Sequence, residues 1–181
     1  TAWQLLNEGQ RLYHTDIIAE NLFRRNTGSF ICQRMSVPVA QLVAATEEFN
    51  VKTATQAAQN MIGLGPGVTP SGDDILIGFL AGLWSLAGEN QALLSFIQFF
   101  GNALIRLTAQ TNEISRTYLR LATQGQFSNS LSNLAEAIAR HRDVEQVLQI
   151  AMRVGHSSGM DSVTGLLIGL SVWTKAYSLY E

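Results

Sequence analysis

The stretch Gly63-Leu-Gly-Pro-Gly-Val-Thr-Pro-Ser-Gly-Asp-Asp-Ile-Leu-Ile-Gly-Phe-Leu-Ala-Gly-Leu83 joins a turn dense in glycine and proline to an apolar run with helical character. A shorter echo, His156-Ser-Ser-Gly-Met-Asp-Ser-Val-Thr-Gly-Leu-Leu-Ile-Gly-Leu170, lies 87 residues further on. With Ser71 set against Ser158, both read Ser-Gly-x-Asp-x-x-x-Gly-x-Leu-x-Gly-Leu. The pattern predicts two apolar helices, over Asp73–Ala87 and Gly159–Tyr177, each with a Gly-x-x-x-Gly step that permits close approach. A helix apolar all round belongs in a core, and the repeat is compatible with a pseudo-two-fold arrangement.

Outward from these two helices, almost every segment has helical periodicity and period-2 alternation is nearly absent. The fold class read from the sequence is therefore all-α, with 1–181 as a single helical domain. Ala2–Leu12 and Ile17–Arg25 read as short helices, and Gly28–Met35 as a strand or irregular link. A helix opens at Val37-Pro38 and runs to about Phe49. The next covers Asn50–Ile62, capped by Asn50 or Thr53 and closed by Gly63. Asn90–Gly125 reads as two helices or one bent at Gly101. Ser128 and Asp143 start two more, ending near His141 and Gly155.

With 181 residues the chain is long enough to bury a substantial core. A formal charge of −2 without a basic cluster points away from nucleic acid. The lone cysteine, Cys32, forms no internal disulfide, and no Cys/His spacing suggests zinc. A cytoplasmic location follows as the expectation, since no basic-then-apolar leader is present. Thr1 at the start suggests a piece of something longer. Charged residues make up only 14% of the chain, and Glu89 is the only one between Ile75 and Ile105. The uncharged run Ile75–Gly88 has 14 residues, against the roughly 20 that a spanning helix needs. Core helices and a partner interface are therefore expected in place of a membrane hairpin.

Two chemistries compete for the paired motif. In the plainer one, Ser71-Gly-Asp-Asp74 and Ser158-Gly-Met-Asp161 are capping boxes, each Ser accepting from its own N3 amide. That explains neither Gly63, Gly65, Pro66, Gly67 and Pro70 ahead of the first box nor its second carboxylate. Glycine and proline at that density fix a backbone path while leaving amides open to a ligand. Two such helix starts around one small ligand supply N–H donors and nearby carboxylates. The substrate-binding candidates are Gly65, Gly67, Thr69, Ser71, Gly72, Thr111, Ser115, Ser157, Ser158 and Gly159. The catalytic candidates are Asp73, Asp74, His156 and Asp161.

Gly67-x-x-x-x-Gly72 has Walker-type spacing, but Asp73-Asp74 stand where Lys-Ser/Thr belongs, which excludes a nucleotide P-loop. If a metal is bound, Asp73, Asp74 and Asp161 are its oxygen donors and Mg²⁺ is the candidate ion. Thr108, Thr111, Ser115 and Tyr118 share one face of a continuous helix, read as solvated. Arg106, Arg116 and Arg120 read either as an anion clamp or as surface charges, and Trp84 and Trp173 as core.

Gly65-Pro-Gly-Val-Thr-Pro-Ser-Gly-Asp-Asp74, Ser115-Arg-Thr-Tyr-Leu-Arg-Leu-Ala-Thr-Gln-Gly-Gln-Phe-Ser128 and Gly155-His-Ser-Ser-Gly-Met-Asp161 resemble, in that order, the AllH-type oxamate carbamoyltransferase subunit family. The resemblance implies a subunit of a multi-subunit enzyme of allantoin-derived nitrogen use, interconverting oxalurate plus phosphate with oxamate plus carbamoyl phosphate. It implies a small anionic substrate, partner protein subunits and a preceding, more strand-rich segment. Two other functions stay open: a binding or accessory subunit whose catalysis lies in partner chains, and a helical scaffold with motifs that only cap.

Overall fold

A computed structural model describes residues 30–155 and 157–177. The helices expected over Ala2–Leu12 and Ile17–Arg25 lie outside these residues, as do His156 and the side chain of Trp173. Among the described residues the fold is all-α: eight helices, one 3-10 turn and no strand.

In chain order the helices are α1 (Phe30–Glu47), α2 (Val51–Gln59), α3 (Ser71–Ala87), α4 (Gln91–Leu107), α5 (Glu113–Thr123), α6 (Asn129–Arg140), α7 (Val144–Met152) and α8 (Ser158–Tyr177). The 3-10 turn, Thr108–Gln110, separates α4 from α5. Several starts follow local rules: Asn50 Oδ1 accepts from Thr53 N, Asn90 Oδ1 from Leu93 N, and Ser128 Oγ from Leu131 N.

The most extensive helix pair is α3 on α8, and glycine makes it. A Cβ on Gly78 would lie 1.9 Å from Ser162 O, and one on Gly165 would lie 2.1 Å from Ile75 O. One turn on, Gly82 would meet Leu166 O at 2.6 Å and Gly169 would meet Phe79 O at 2.4 Å. The contacts are reciprocal and advance in the same direction along both helices. The pair is therefore parallel, with its two N-termini side by side. One apolar cluster, containing Met35, Leu42, Met61, Leu76, Phe79, Phe96, Phe100 and Leu119, fills the space between this pair and α1, α2, α4 and α5. A second, with Leu131, Leu134, Val163 and Leu166, lies toward α6 and α7.

Three local expectations fail. The strand or link expected over Gly28–Met35 is helical from Phe30, and α1 continues through Pro38. Met35, Val39, Leu42 and Ala45 form a buried stripe at helical spacing, and packing that stripe outweighs the proline signal. Gly101 does not break α4; it admits α5 instead, since a Cβ there would lie 3.1 Å from Thr123 Cβ. The chain turns later, where Thr108 Oγ1 donates to Ile105 O at 2.8 Å and Asn112 starts a new helix. That break also divides the expected Thr108–Tyr118 face, and Thr108 and Ser115 are buried instead of solvated.

By length and composition alone, Gln91–Gln110 is apolar enough to cross a membrane. Leu93, Phe96, Ile97, Phe100 and Leu104 of this segment are buried in the core, and Phe96 stacks on Phe100 with ring centroids 5.7 Å apart. That is also what a core helix looks like.

Candidate functional site

The parallel pair places both polar motifs at one end of the molecule. Each helix start carries roughly +0.5 charge from its aligned peptide dipoles. Two such ends side by side repel one another and favour negative charge between them. Asp74 and Asp161 occupy the first turns of α3 and α8.

The capping-box register does not hold. Pro70 is the N-cap of α3, with φ −58° and ψ 140°, and it contributes no side-chain bond. Ser71 is the first helical residue, and Ser158 is the first of α8. The hydroxyls instead reach across to the other motif. Thr69 Oγ1 and Ser158 Oγ share a 2.5 Å hydrogen bond. The hydroxyls of Thr69 and Ser158 favour the charged form of Asp74, and those of Ser71 and Ser157 favour the charged form of Asp161. Such a crossed pattern requires the tertiary pairing of α3 with α8.

Oδ2 of Asp74 and Oδ2 of Asp161 nevertheless remain buried without a hydrogen-bond partner among the described residues. Asp74 is only 4% exposed. Burial pushes its carboxyl up to about 6, against the hydroxyls of Thr69 and Ser158, and the negative charges of Asp161 and Asp73 add to the rise. Burial raises Asp161 too, opposed by Ser71 and Ser157.

The Asp74 shift has a consequence for stability. A carboxyl at about 6 in the fold and 3.8 when unfolded binds its proton more tightly in the native state. Stability therefore falls as pH rises across that window. Asp74→Asn removes the charge and is expected to stabilise the fold by on the order of 1–3 kcal/mol at about pH 7.5, an advantage lost by about pH 4. Urea unfolding across pH measures it; parallel pH profiles for variant and wild type would show that no such penalty exists.

Asp73 has a different place. It is fully buried, its Oδ1 accepts from Gly63 N at 2.8 Å, and its Oδ2 accepts from Thr111 Oγ1 at 2.5 Å. Both oxygens thus pin the glycine turn to the segment before α5. Among the described residues no group of three or more His, Cys, Asp or Glu side chains is arranged to hold a metal, so Asp73, Asp74 and Asp161 do not form a shared ligand set.

The remaining candidates separate by what their amides and side chains do. Gly72 N donates to Leu64 O and Gly159 N to Val154 O, both at 2.9 Å. A Cβ on either would collide with backbone, at 1.9 Å from Met61 O or 2.3 Å from Ala151 O. Both glycines therefore seat their helices. In contrast, no backbone carbonyl of the described residues accepts from the amides of Gly65, Gly67, Val68 or Thr69. Gly65 at φ +122° and Gly67 at φ +104° hold this loop in conformations that side-chain-bearing residues rarely adopt.

Thr111 joins Asp73, while Ser115 is fully buried with an unpartnered Oγ. Arg116 donates to Thr108 O, Thr111 O and Glu113, so it braces the turn before α5. Asn112 is a residue the sequence reading missed. Its Nδ2 donates to Val68 O at 2.9 Å while its Oδ1 caps Ile114 N and Ser115 N at 3.0 Å. The cap was legible from an Asn before a helical run; the tether to Val68 was not. A separate cleft of about 440 Å³ lies on the α1 side of the turn, lined by Arg34, Pro38 and Asn60 among others.

A family model described as oxamate carbamoyltransferase subunit AllH matches residues 61–170. The chain belongs to the AllH family. The matched region of this AllH-family chain begins at the glycine turn and takes in both motifs, the Asn112 tether and nearly the whole α3–α8 seam. No solved structure matches the chain.

Proposed function

We propose that this chain is a subunit of a carbamoyltransferase-type enzyme and that its small-molecule site lies where α3 and α8 begin. The observation that carries this reading is the crossed arrangement of Asp74, which is buried, and Asp161, which is half-buried, each with a buried oxygen unpartnered among the described residues, at adjoining helix starts. A scaffold in which the motifs only cap their helices would have no need of it, because Ser71 and Ser158 are the first residues inside their helices and not the caps.

In this reading the free amides around Gly65–Thr69 take the anionic end of carbamoyl phosphate, oxamate or oxalurate. Carbamoyl transfer forms a bond between the oxamate nitrogen and the carbamoyl carbon and breaks the bond from that carbon to the phosphate oxygen. The nitrogen loses a proton and the phosphate leaves. A carboxylate at about 6 is better matched to accepting that proton near neutrality than an ordinary one. Asp74 is the candidate base and Asp161 its electrostatic partner. Asp73 acts on the site by fixing the loop. His156, which lies outside the described residues, is adjacent in sequence to Ser157 and is kept as a candidate for proton transfer. The family description, naming a subunit, supports partner chains in the working enzyme. A cytoplasmic setting suits such an enzyme.

Calorimetric titration of the full chain with carbamoyl phosphate, oxamate and phosphate, with and without Mg²⁺, tests the proposal. Saturable binding is expected. An absence of heat and of thermal stabilisation with every ligand, in well-folded protein, would refute a site on this chain.

A further inference from the structure

We propose that Asp74 and Asp161 recognise the N–H face of the ligand, so that the site selects carbamoyl and ureido compounds over acyl compounds of the same shape. The inference rests on the site proposed above and specifies which end of the ligand meets which group.

Asp74 Oδ2 and Asp161 Oδ2 are buried acceptors that meet no donor among the described residues. An acceptor left buried and unpaired costs about 1–3 kcal/mol, and more when charged. The nearby hydroxyls of Thr69 and Ser158 are bonded to each other, and with those of Ser71 and Ser157 they lower the two carboxyls without partnering either Oδ2. In this proposal the ligand supplies the missing donor. An anionic group is unsuited, because two carboxylates repel it. The same ligand finds amide donors along Gly65–Thr69, which suit its anionic end.

A molecule satisfying both halves carries an anion at one end and N–H donors at the other. A primary amide meets the second requirement well, since its two N–H bonds diverge in one plane and can serve one acceptor from each of two helix starts. Carbamoyl phosphate, oxamate and oxalurate share this design. Acetyl phosphate and pyruvate replace the NH₂ of the first two with CH₃ at nearly constant shape, and leave both carboxylates unpaired.

The test compares carbamoyl with acetyl phosphate, and oxamate with pyruvate, by titration calorimetry on the full chain at about pH 7.5. Hydrogen bonds to charged acceptors predict that each amide binds about 10- to 100-fold tighter than its methyl counterpart. Asp74→Asn presents an N–H where an acceptor stood, and Asp161→Asn does the same independently. Each should bring the ratio toward one while leaving the methyl compounds bound as well or better. In wild type the ratio should also shrink as the solution is acidified through about pH 6, where Asp74 protonates. Equal binding within each wild-type pair would overturn the inference while leaving an anion site in place. So would a variant that loses both members of a pair together. Failure of all four compounds to bind would instead overturn the site itself. Thermal unfolding of each variant confirms folding, and either carboxylate suffices for the test.

Discussion

Gly78→Val is expected to abolish stable folding, with Gly78→Ala alone costing about 3 kcal/mol or more. The added Cβ would lie 1.9 Å from Ser162 O and 2.8 Å from Leu166 N. Both obstacles are backbone of a helix packed at interior density, so neither can swing aside as a flexible side chain would. Relief requires α3 and α8 to separate, which opens gaps around Phe79, Leu83 and Leu166 and costs cavity terms in both apolar clusters. Gly165 faces Ile75 O at 2.1 Å in the reciprocal position and should respond alike.

Gly101→Ala is the control. Its Cβ meets a side-chain carbon of Thr123 at 3.1 Å, and alanine regains about 1 kcal/mol of helix propensity. Its stability should stay within about 1 kcal/mol of wild type. Urea midpoints for Gly78→Ala, Gly165→Ala and Gly101→Ala decide the matter. A Gly78→Ala protein as stable as wild type would show that the seam is not closed at this distance. Because the same seam brings the two motifs together, partial separation should also weaken ligand binding before global unfolding.

The second large effect is expected at Asp73. Asp73→Ala removes the acceptor for Gly63 N and for Thr111 Oγ1 together. Loss of two bonds to a buried carboxylate is expected to cost about 2–4 kcal/mol and to loosen the loop from Gly63 to Pro70. Asp73→Asn should behave differently. Its Oδ1 can still accept from Gly63 N while its Nδ2 donates to the Thr111 hydroxyl. Folding and ligand binding should then be largely retained. A residue acting as base or metal ligand would give the reverse result, with the asparagine variant folded and inactive. Denaturation midpoints and titration calorimetry on the two variants separate these roles.

Asp73 and Asp74 show where reading the chain stopped. Adjacent carboxylates in one helical turn look equivalent in sequence. A helix turns by about 100° per residue, so consecutive side chains leave in different directions. Asp73 thereby reaches Gly63 and Thr111, and Asp74 reaches Thr69 and Ser158. Ser71 and Ser158 fit capping boxes in sequence because capping is a local bond to a residue's own helix. Their actual partners are distant in sequence, as with Thr69 and Ser158, which lie 89 residues apart. Pro38 likewise marked a helix start until the buried stripe across it was packed against α2.

By itself the sequence determined the all-α class, the existence and approximate limits of α2, α3, α6 and α7, the start of α4, and the identity of two apolar helices with glycine steps. These are written in composition, periodicity and turn chemistry, which act over a few residues. Only the tertiary structure decided that α3 and α8 lie parallel, that their starts adjoin, and which carboxylate serves the loop and which lies beside the start of α8. Glycine spacing permits close approach on either side and in either direction. The choice among these is made by burying every apolar face of the chain at once, a condition no local stretch contains.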